Sequence, residues 1–397
     1  MFPWRVFLIA DRDSDLIESD IVYRLGGETP AGDWSWLTPG KSQSEWVQDN
    51  RLDSVPFRSG YNFETYQYYV DFNERFKTGY VFFDAGWSDV TDPLKQTPAM
   101  RVPELIRYAQ GKCLRVALWT LSAVMETRMV EILDALERLG VSGVMIDFMD
   151  RDDQQMVNFY ERAAQETAKR HMWVNFHGAY KPTGLERRYP NAITREALKA
   201  SEYFKWTDGV TPELELTVPF VRMVAGPVDY EPGYMKNAQK DDFRAVSGSP
   251  MSMGTRMHQV ALYVVYESPY SKMAGNVSDY LREPQITQFM ADIPTVWKQT
   301  HVIDAKLADY VVVAREAIDG DFYIGALTDW SPRELDVDLS FLGTGRYRAE
   351  IYSDGPNADR TGTDYARELT TVERGAKLKV RLAPGGGWVA RISRNGN

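Results

Sequence analysis

The chain contains a single cysteine, Cys113, among 397 residues. No disulfide can therefore close within it, and no CxxC metal or redox motif exists. Lying just before an apolar run, Cys113 reads as a buried, inert thiol. No stretch of about 18 apolar residues is present, so there is no candidate membrane span. The opening residues, Phe2-Pro3-Trp4-Arg5-Val6, lack the basic stretch and apolar stretch of a signal peptide. The expectation is a cytoplasmic protein, a mature form, or a chain cut from something longer. Internal repeats and low-complexity segments are also missing. Positive charge is in deficit, with 46 Lys and Arg against 56 Asp and Glu, a formal net charge of −10. That balance argues against a polyanionic partner such as nucleic acid.

Apolar and aromatic residues are plentiful. Hydrophobic residues make up 44% of the chain and aromatics 13%, with 11 Trp and 22 Tyr. Such rings suit stacking on the apolar faces of sugars, although core packing accounts for most of them. The length fits one barrel of about 250 residues plus a smaller domain.

Strand and helix signals alternate along the first three quarters of the chain. Residues 4–10 read as a strand and the Gly/Pro-rich segment 26–40 as a loop. Then come helix 64–77, strand 80–84, helix 103–110, strand 114–119, helix 125–139 and strand 143–148. Helix 153–170, strand 172–177, helix 192–199 and a short strand-like run at 201–206 follow. Residues 220–225 and 260–266 are candidates for a seventh and an eighth strand. In 125–139, Met125, Met129, Ile132, Leu133, Leu136 and Leu139 fall at helical spacing. Apolar strands joined through helices predict a parallel sheet covered on its faces. Eight such units predict a (β/α)8 TIM barrel, with an open sheet as the alternative. From about residue 302 short alternating runs separated by turn signals predict a small all-β sandwich domain. The expected organisation is an N-terminal strand and linker (1–30), a catalytic barrel (31–301) and a C-terminal β-sandwich (302–397).

Polar and aromatic residues recur at the C-terminal strand ends: Asp84, Trp87, Trp119, Asp147, His177 and Glu202. Barrel active sites lie on that face. Asp147 closes the run Gly143-Val144-Met145-Ile146-Asp147, and Glu202 stands in the run at 201–206. Two carboxylates at strand tips across a barrel mouth are the equipment of glycosidic bond cleavage. About 5–5.5 Å between them serves a retaining mechanism, and about 6.5–9.5 Å an inverting one. The competing structural roles are helix capping for Asp147 and a surface position for Glu202. His177 is a hydroxyl donor or a structural strand-end histidine. Asp84 and Trp87 are a sugar-binding pair or a cap and a core residue. Trp119 floors the sugar subsite or fills the barrel top.

Several segments carry a family resemblance. They are Ile146-Asp147-Phe148-Met149-Asp150-Arg151-Asp152-Asp153-Gln154, the run Asn175 to Leu185 continuing to Arg188-Tyr189-Pro190-Asn191, and Asp84-Ala85-Gly86-Trp87. Ala225 to Tyr230 and Gln259 to Pro269 complete the set. In order and spacing they resemble glycoside hydrolase family 97, on its retaining, α-galactosidase-like branch. The resemblance implies an exo-acting α-glycosidase with Asp147 as nucleophile and Glu202 as acid/base. Gly178 stands where the inverting branch carries a base glutamate. The resemblance further implies calcium beside the acid, with Glu196, Glu202 and Asn175 as oxygen ligands, and Lys181 as a hydroxyl contact. A salt bridge to Arg195 is the structural alternative for Glu196. An α-glucosidase of the same family and a catalytically weak sugar-binding protein are the rival readings.

The family also implies export to the periplasm or the exterior, and a β-sandwich domain ahead of the barrel. Here the chain starts where the connection out of that domain would lie. The expectation is a fragment or a trimmed form, with a missing domain or a partner chain covering the barrel.

Overall fold

The computed structural model describes residues 5–30 and 32–394. Its centre is a parallel sheet of five strands in chain order: Tyr80–Phe83, Arg115–Leu121, Gly143–Asp147, Trp173–Phe176 and Ala192–Arg195. Gly40–Gln43 precedes these as the first strand and pairs in parallel with Tyr270–Met273, the last. A bridge from Lys41 to Gly79 ties the first strand to the second, and one from Arg195 to Val228 extends the sheet beyond the sixth. Val228 N–H then donates to Glu267 O at 2.8 Å, and Ala274 N–H to Pro232 O at 3.0 Å. Eight staves thus follow one another around a TIM barrel, the seventh being an extended segment at 228–232.

Alternation along the strands decides which side chains reach the interior. Tyr80 and Phe82, Ala117 and Trp119, Met145, Trp173 and Tyr270 form one inner cluster. Val81 and Phe83, Val116 and Leu118, Val144 and Ile146 belong to the outer core under the helices. The parity carries on to the strand ends. It points Asp84, Asp147 and His177 inward, above Phe82, Met145 and Trp173.

The C-terminal part is a six-stranded antiparallel sheet packed beside a two-stranded one, Arg333–Asp338 with Lys377–Leu382. It begins at Gln299 and ends at Arg394. Among the described residues, no helix is long and apolar enough to cross a membrane.

The structure departs from the sequence reading in several places. Residues 5–10 form no strand, and Trp4 lies outside the described residues. Residues 192–195 are the sixth strand rather than a helix, and Ser201–Lys205 is a 3-10 helix rather than a strand. Residues 220–225 are the end of the helix Pro212–Val221 and a 3-10 turn, Met223–Ala225. The run at 260–266 falls, all but its last residue, in the helix Arg256–Val265, every residue of which is buried. Its Val-rich sequence mimics a strand because this helix is covered on all sides, by the barrel and by the C-terminal sheet. Cys113 is exposed, in a left-handed turn (φ +59°) between a helix and the third strand.

Candidate active site

Asp147 ends the fourth strand and is held by two donors. Trp119 Nε1–H reaches its Oδ2 at 3.0 Å, and the backbone N–H of Phe148 reaches its Oδ1 at 2.6 Å. Trp119 is thus tied to the carboxylate through its indole nitrogen and is only 6% exposed. Gly178 closes the other side with φ +53°. A β-carbon there would lie 2.9 Å from Phe148 Cα and 3.2 Å from Asp147 Oδ1. Only glycine fits so close to this carboxylate.

Glu202 enters from the 3-10 helix after the sixth strand, not from a strand tip. Its Oε2 accepts the indole N–H of Trp46 at 3.0 Å. Burial is the main cause that raises its pKa; His177 and Trp46 oppose, and the charges of Glu231 and Asp147 push it further up. Glu196 caps the sixth strand and accepts Gly178 N–H at 2.8 Å. Burial lifts its pKa to about 7, His177 counteracts, and the charge of Glu202 adds to the rise. Arg195 does not pair with Glu196. Its guanidinium lies over the rings of Tyr160 and Tyr180, at 4.5 and 4.9 Å.

Beneath these acids lies a charged layer that sequence reasoning missed. Lys272 of the eighth strand is fully buried. Its ammonium stands 3.2 Å from Asp229 Oδ2 and in contact with Glu231 Oε1. His177 joins this layer to the acids above: Nε2 is 3.1 Å from Asp229 Oδ2, and Nδ1 is 3.7 Å from Glu196 Oε2. Asn175 gives its amide N–H to Asp229, which ties it to this layer rather than to Glu196 or Glu202. Burial alone would depress the His177 imidazolium, but Glu196 and Asp229 hold it protonated well above its usual range. Burial likewise opposes the charge on Lys272, and Asp229 and Glu231 override it. The signal available in the sequence was alternation in Asp229-Tyr230-Glu231, which sends both acids inward and Tyr230 outward.

Asp84 ends the second strand, 6% exposed. Its N–H donates to Glu45 Oε1 at 2.7 Å. Burial raises Asp84 to about 7 and Glu45 to about 8, against Lys272 in the first case and with the charge of Asp84 in the second. Trp87 is fully buried and spends its indole N–H on Trp119 O at 2.7 Å, so it offers no face to a sugar. Lys181 is exposed in the loop after the fifth strand, apart from the buried cluster.

Two groups of residues offer metal donors. His177, Asp229 and Glu231 bring ligand atoms within 4.8 Å of one another. The Lys272 ammonium already balances both carboxylates of that set. Glu196 and Glu202 differ. Among the described residues neither has a lysine or arginine ion pair, and the charge of Glu202 raises the pKa of Glu196. Two buried carboxylates that share only the His177 imidazolium suit a hard divalent cation that prefers oxygen.

Residues 45–198 match the family model described as glycoside hydrolase 97, and residues 296–393 the one described as glycosyl-hydrolase 97 C-terminal, oligomerisation. The chain belongs to glycoside hydrolase family 97. A curated relative from Bacteroides thetaiotaomicron, named a retaining alpha-galactosidase, is 40% identical over 98% of this chain. A probable retaining alpha-galactosidase from Streptomyces bingchenggensis is 30% identical over 98% of it. The chain spans 60% and 58% of the length of these two relatives. A solved family 97 enzyme from Pseudoalteromonas sp. strain K8, in complex with acarbose, superposes with a TM-score of 0.87 at 28% identity. That match covers 97% of this chain and 64% of the other.

Proposed function

We propose that this chain carries the catalytic machinery of a retaining, exo-acting α-galactosidase. The observation that supports it most is the contrast between two carboxylates in one site. Asp147 is oriented by two donors and backed by a glycine, whereas burial pushes the pKa of Glu202 up. A pair of acids in unlike environments divides into nucleophile and proton donor.

In the first step Asp147 attacks the anomeric carbon and forms a covalent ester, while Glu202 gives its proton to the leaving glycosidic oxygen. In the second, Glu202 takes a proton from water, the water oxygen attacks the same carbon, and the ester breaks to free Asp147. Two inversions return the α anomer. Trp119 keeps Asp147 aimed, and Asp84 and His177 are the polar groups that meet the sugar hydroxyls. Galactose as the sugar draws on the name of the 40%-identical relative.

Calcium fits at Glu196 and Glu202. When bound, the ion supplies positive charge beside the acid, which lowers its pKa and orders the pocket. A calcium-dependent rise in the unfolding temperature, absent with magnesium, checks this apart from turnover; at 100 times the dissociation constant, binding adds about 2.7 kcal/mol.

The function is tested by incubation with a 2-deoxy-2-fluoro-α-galactosyl donor and mapping of the labelled peptide, with proton NMR of the first-formed sugar from an ordinary substrate. The label belongs on Asp147 and the first sugar should be α. A β product, or a label elsewhere, defeats the assignment. A panel of nitrophenyl α-glycosides reads the sugar: hydrolysis of the α-glucoside alone would replace galactose by glucose.

A further inference from the structure

The short helix that carries Glu202 also carries Lys205, one turn further on. Three residues make a turn of a 3-10 helix, so both side chains leave Ser201–Lys205 on one face. They reach the same residue, Trp46, in the 3-10 turn Trp46–Gln48 that follows the first strand. Glu202 takes the indole N–H, at 3.0 Å. Lys205 takes the backbone: its ammonium donates to Trp46 O at 3.0 Å and to Val47 O at 3.2 Å. A further N–H goes to Asp49 Oδ1 at 2.5 Å. The ammonium also stands 4.6 Å from the centre of the Trp46 ring.

This lysine is spent on one loop. Its side chain is 1% exposed, against 37% for Asp49. An ammonium has three donors, and residues 46–49 accept them all. A buried charge is costly unless it is paired and its donors are filled, and here both conditions are met. A positive charge close to the indole ring attracts its electrons, which makes the N–H a stronger donor to Glu202.

Other contacts fix the helix itself. Ser201 Oγ–H donates to Glu231 O at 2.5 Å, and Tyr234 O–H to Ser201 O at 2.9 Å. Phe204 packs in one apolar cluster with Val47. The backbone of Glu202 is thus held without Lys205. The direction of its carboxyl is a separate matter: among the described residues, the indole of Trp46 is the hydrogen-bond donor to it.

We infer that Lys205 is a positioning residue for the acid: it sets Trp46, and Trp46 aims the carboxyl of Glu202 at the leaving oxygen. The inference rests on the role given to Glu202 above. Buried as it is, Lys205 meets no substrate and acts through Trp46.

The test uses aryl α-galactosides of unlike leaving groups, with calcium present. A dinitrophenolate departs without a proton, whereas a plain phenol needs one from the acid. In Lys205→Met, kcat/KM for the phenyl galactoside should fall about tenfold or more, the worth of a hydrogen bond to a charged group, while the dinitrophenyl galactoside stays near the parental value. Trp46→Phe should act alike, and the double variant should be no worse than either single one, because both changes break the same link. Equal losses on the two substrates, or effects that add, overturn the proposal and leave the hydrolase reading standing. If Lys205→Met does not fold, Asp49→Asn takes its place; it weakens one of the three bonds and should produce the same unequal losses, and equal losses there overturn the proposal too. Hydrogen exchange of the Trp46 indole, identified by its absence from Trp46→Phe, should be faster in Lys205→Met than in the parent; an unchanged rate means that Lys205 does not hold Trp46. A parent inert towards every galactoside removes the hydrolase reading and the proposal with it.

Discussion

One added carbon at Gly178 tests the architecture of the site most directly. Gly178→Ala places a methyl group 2.9 Å from both Cα and N of Phe148 and 3.2 Å from Asp147 Oδ1, at φ +53°. Two costs add. The left-handed backbone costs an alanine about 1–2 kcal/mol. The overlap meets backbone atoms rather than the tip of a flexible side chain, and overpacking of that kind costs about 1–3 kcal/mol. The variant should therefore lose about 2–5 kcal/mol of stability. Relief of the clash must push Phe148, and with it Asp147, by about half an ångström. Since a 1 Å misplacement costs about a hundredfold, kcat should fall about tenfold with a smaller change in KM. Urea unfolding and steady-state turnover of an aryl α-galactoside measure the two effects. Gly320→Ala is the control: φ is +91°, and nothing lies within 4 Å of its would-be β-carbon. It should show the backbone cost alone and leave kcat as it was. A Gly178→Ala protein with the parental unfolding midpoint and the parental kcat would refute the reasoning.

Three further outcomes are expected. Lys272→Met leaves Asp229 and Glu231 buried with His177 alone to offset two carboxylates, and should destabilise by about 3–5 kcal/mol in urea unfolding; a loss under 1 kcal/mol would contradict a charged Lys272. Trp119→Phe removes the indole donor to Asp147 and should lower kcat/KM by about ten- to a hundredfold, the worth of a hydrogen bond to a charged group, with the unfolding midpoint little moved. Stability without added metal should decline as pH rises from about 5 to 8. Asp84 and Glu45 have folded pKa values raised to about 7 and about 8, so the unfolded chain releases protons that the fold retains. Each such group contributes up to about 1.4 kcal/mol of loss per pH unit between its unfolded and folded values. His177 acts in the same sense, because a raised histidine pKa stabilises only while the ring is protonated. Unfolding midpoints that rise over this range would count against the buried acids.

The sequence by itself determined the parity of the strands, and with it much of the site. Phe82, Met145 and Trp173 face inward because strands alternate, so Asp84, Asp147 and His177 must follow them into the barrel mouth. Local pattern also sufficed for the helices Phe63–Phe76, Ser122–Leu139 and Gln154–Ala168, each with one apolar face against the sheet. Tertiary structure decided the rest. The helix Arg256–Val265 is apolar on every side because two domains cover it, and a run without a polar face carries no period to read. Residues 192–199 begin as a strand although Glu196-Ala197-Leu198-Lys199 has helical composition, because pairing with the fifth strand outweighs propensity. The neutralisation of Asp229 and Glu231 by Lys272 joins positions about forty residues apart. It exists only once the barrel brings its seventh and eighth staves side by side, since charges meet through space and not along the chain.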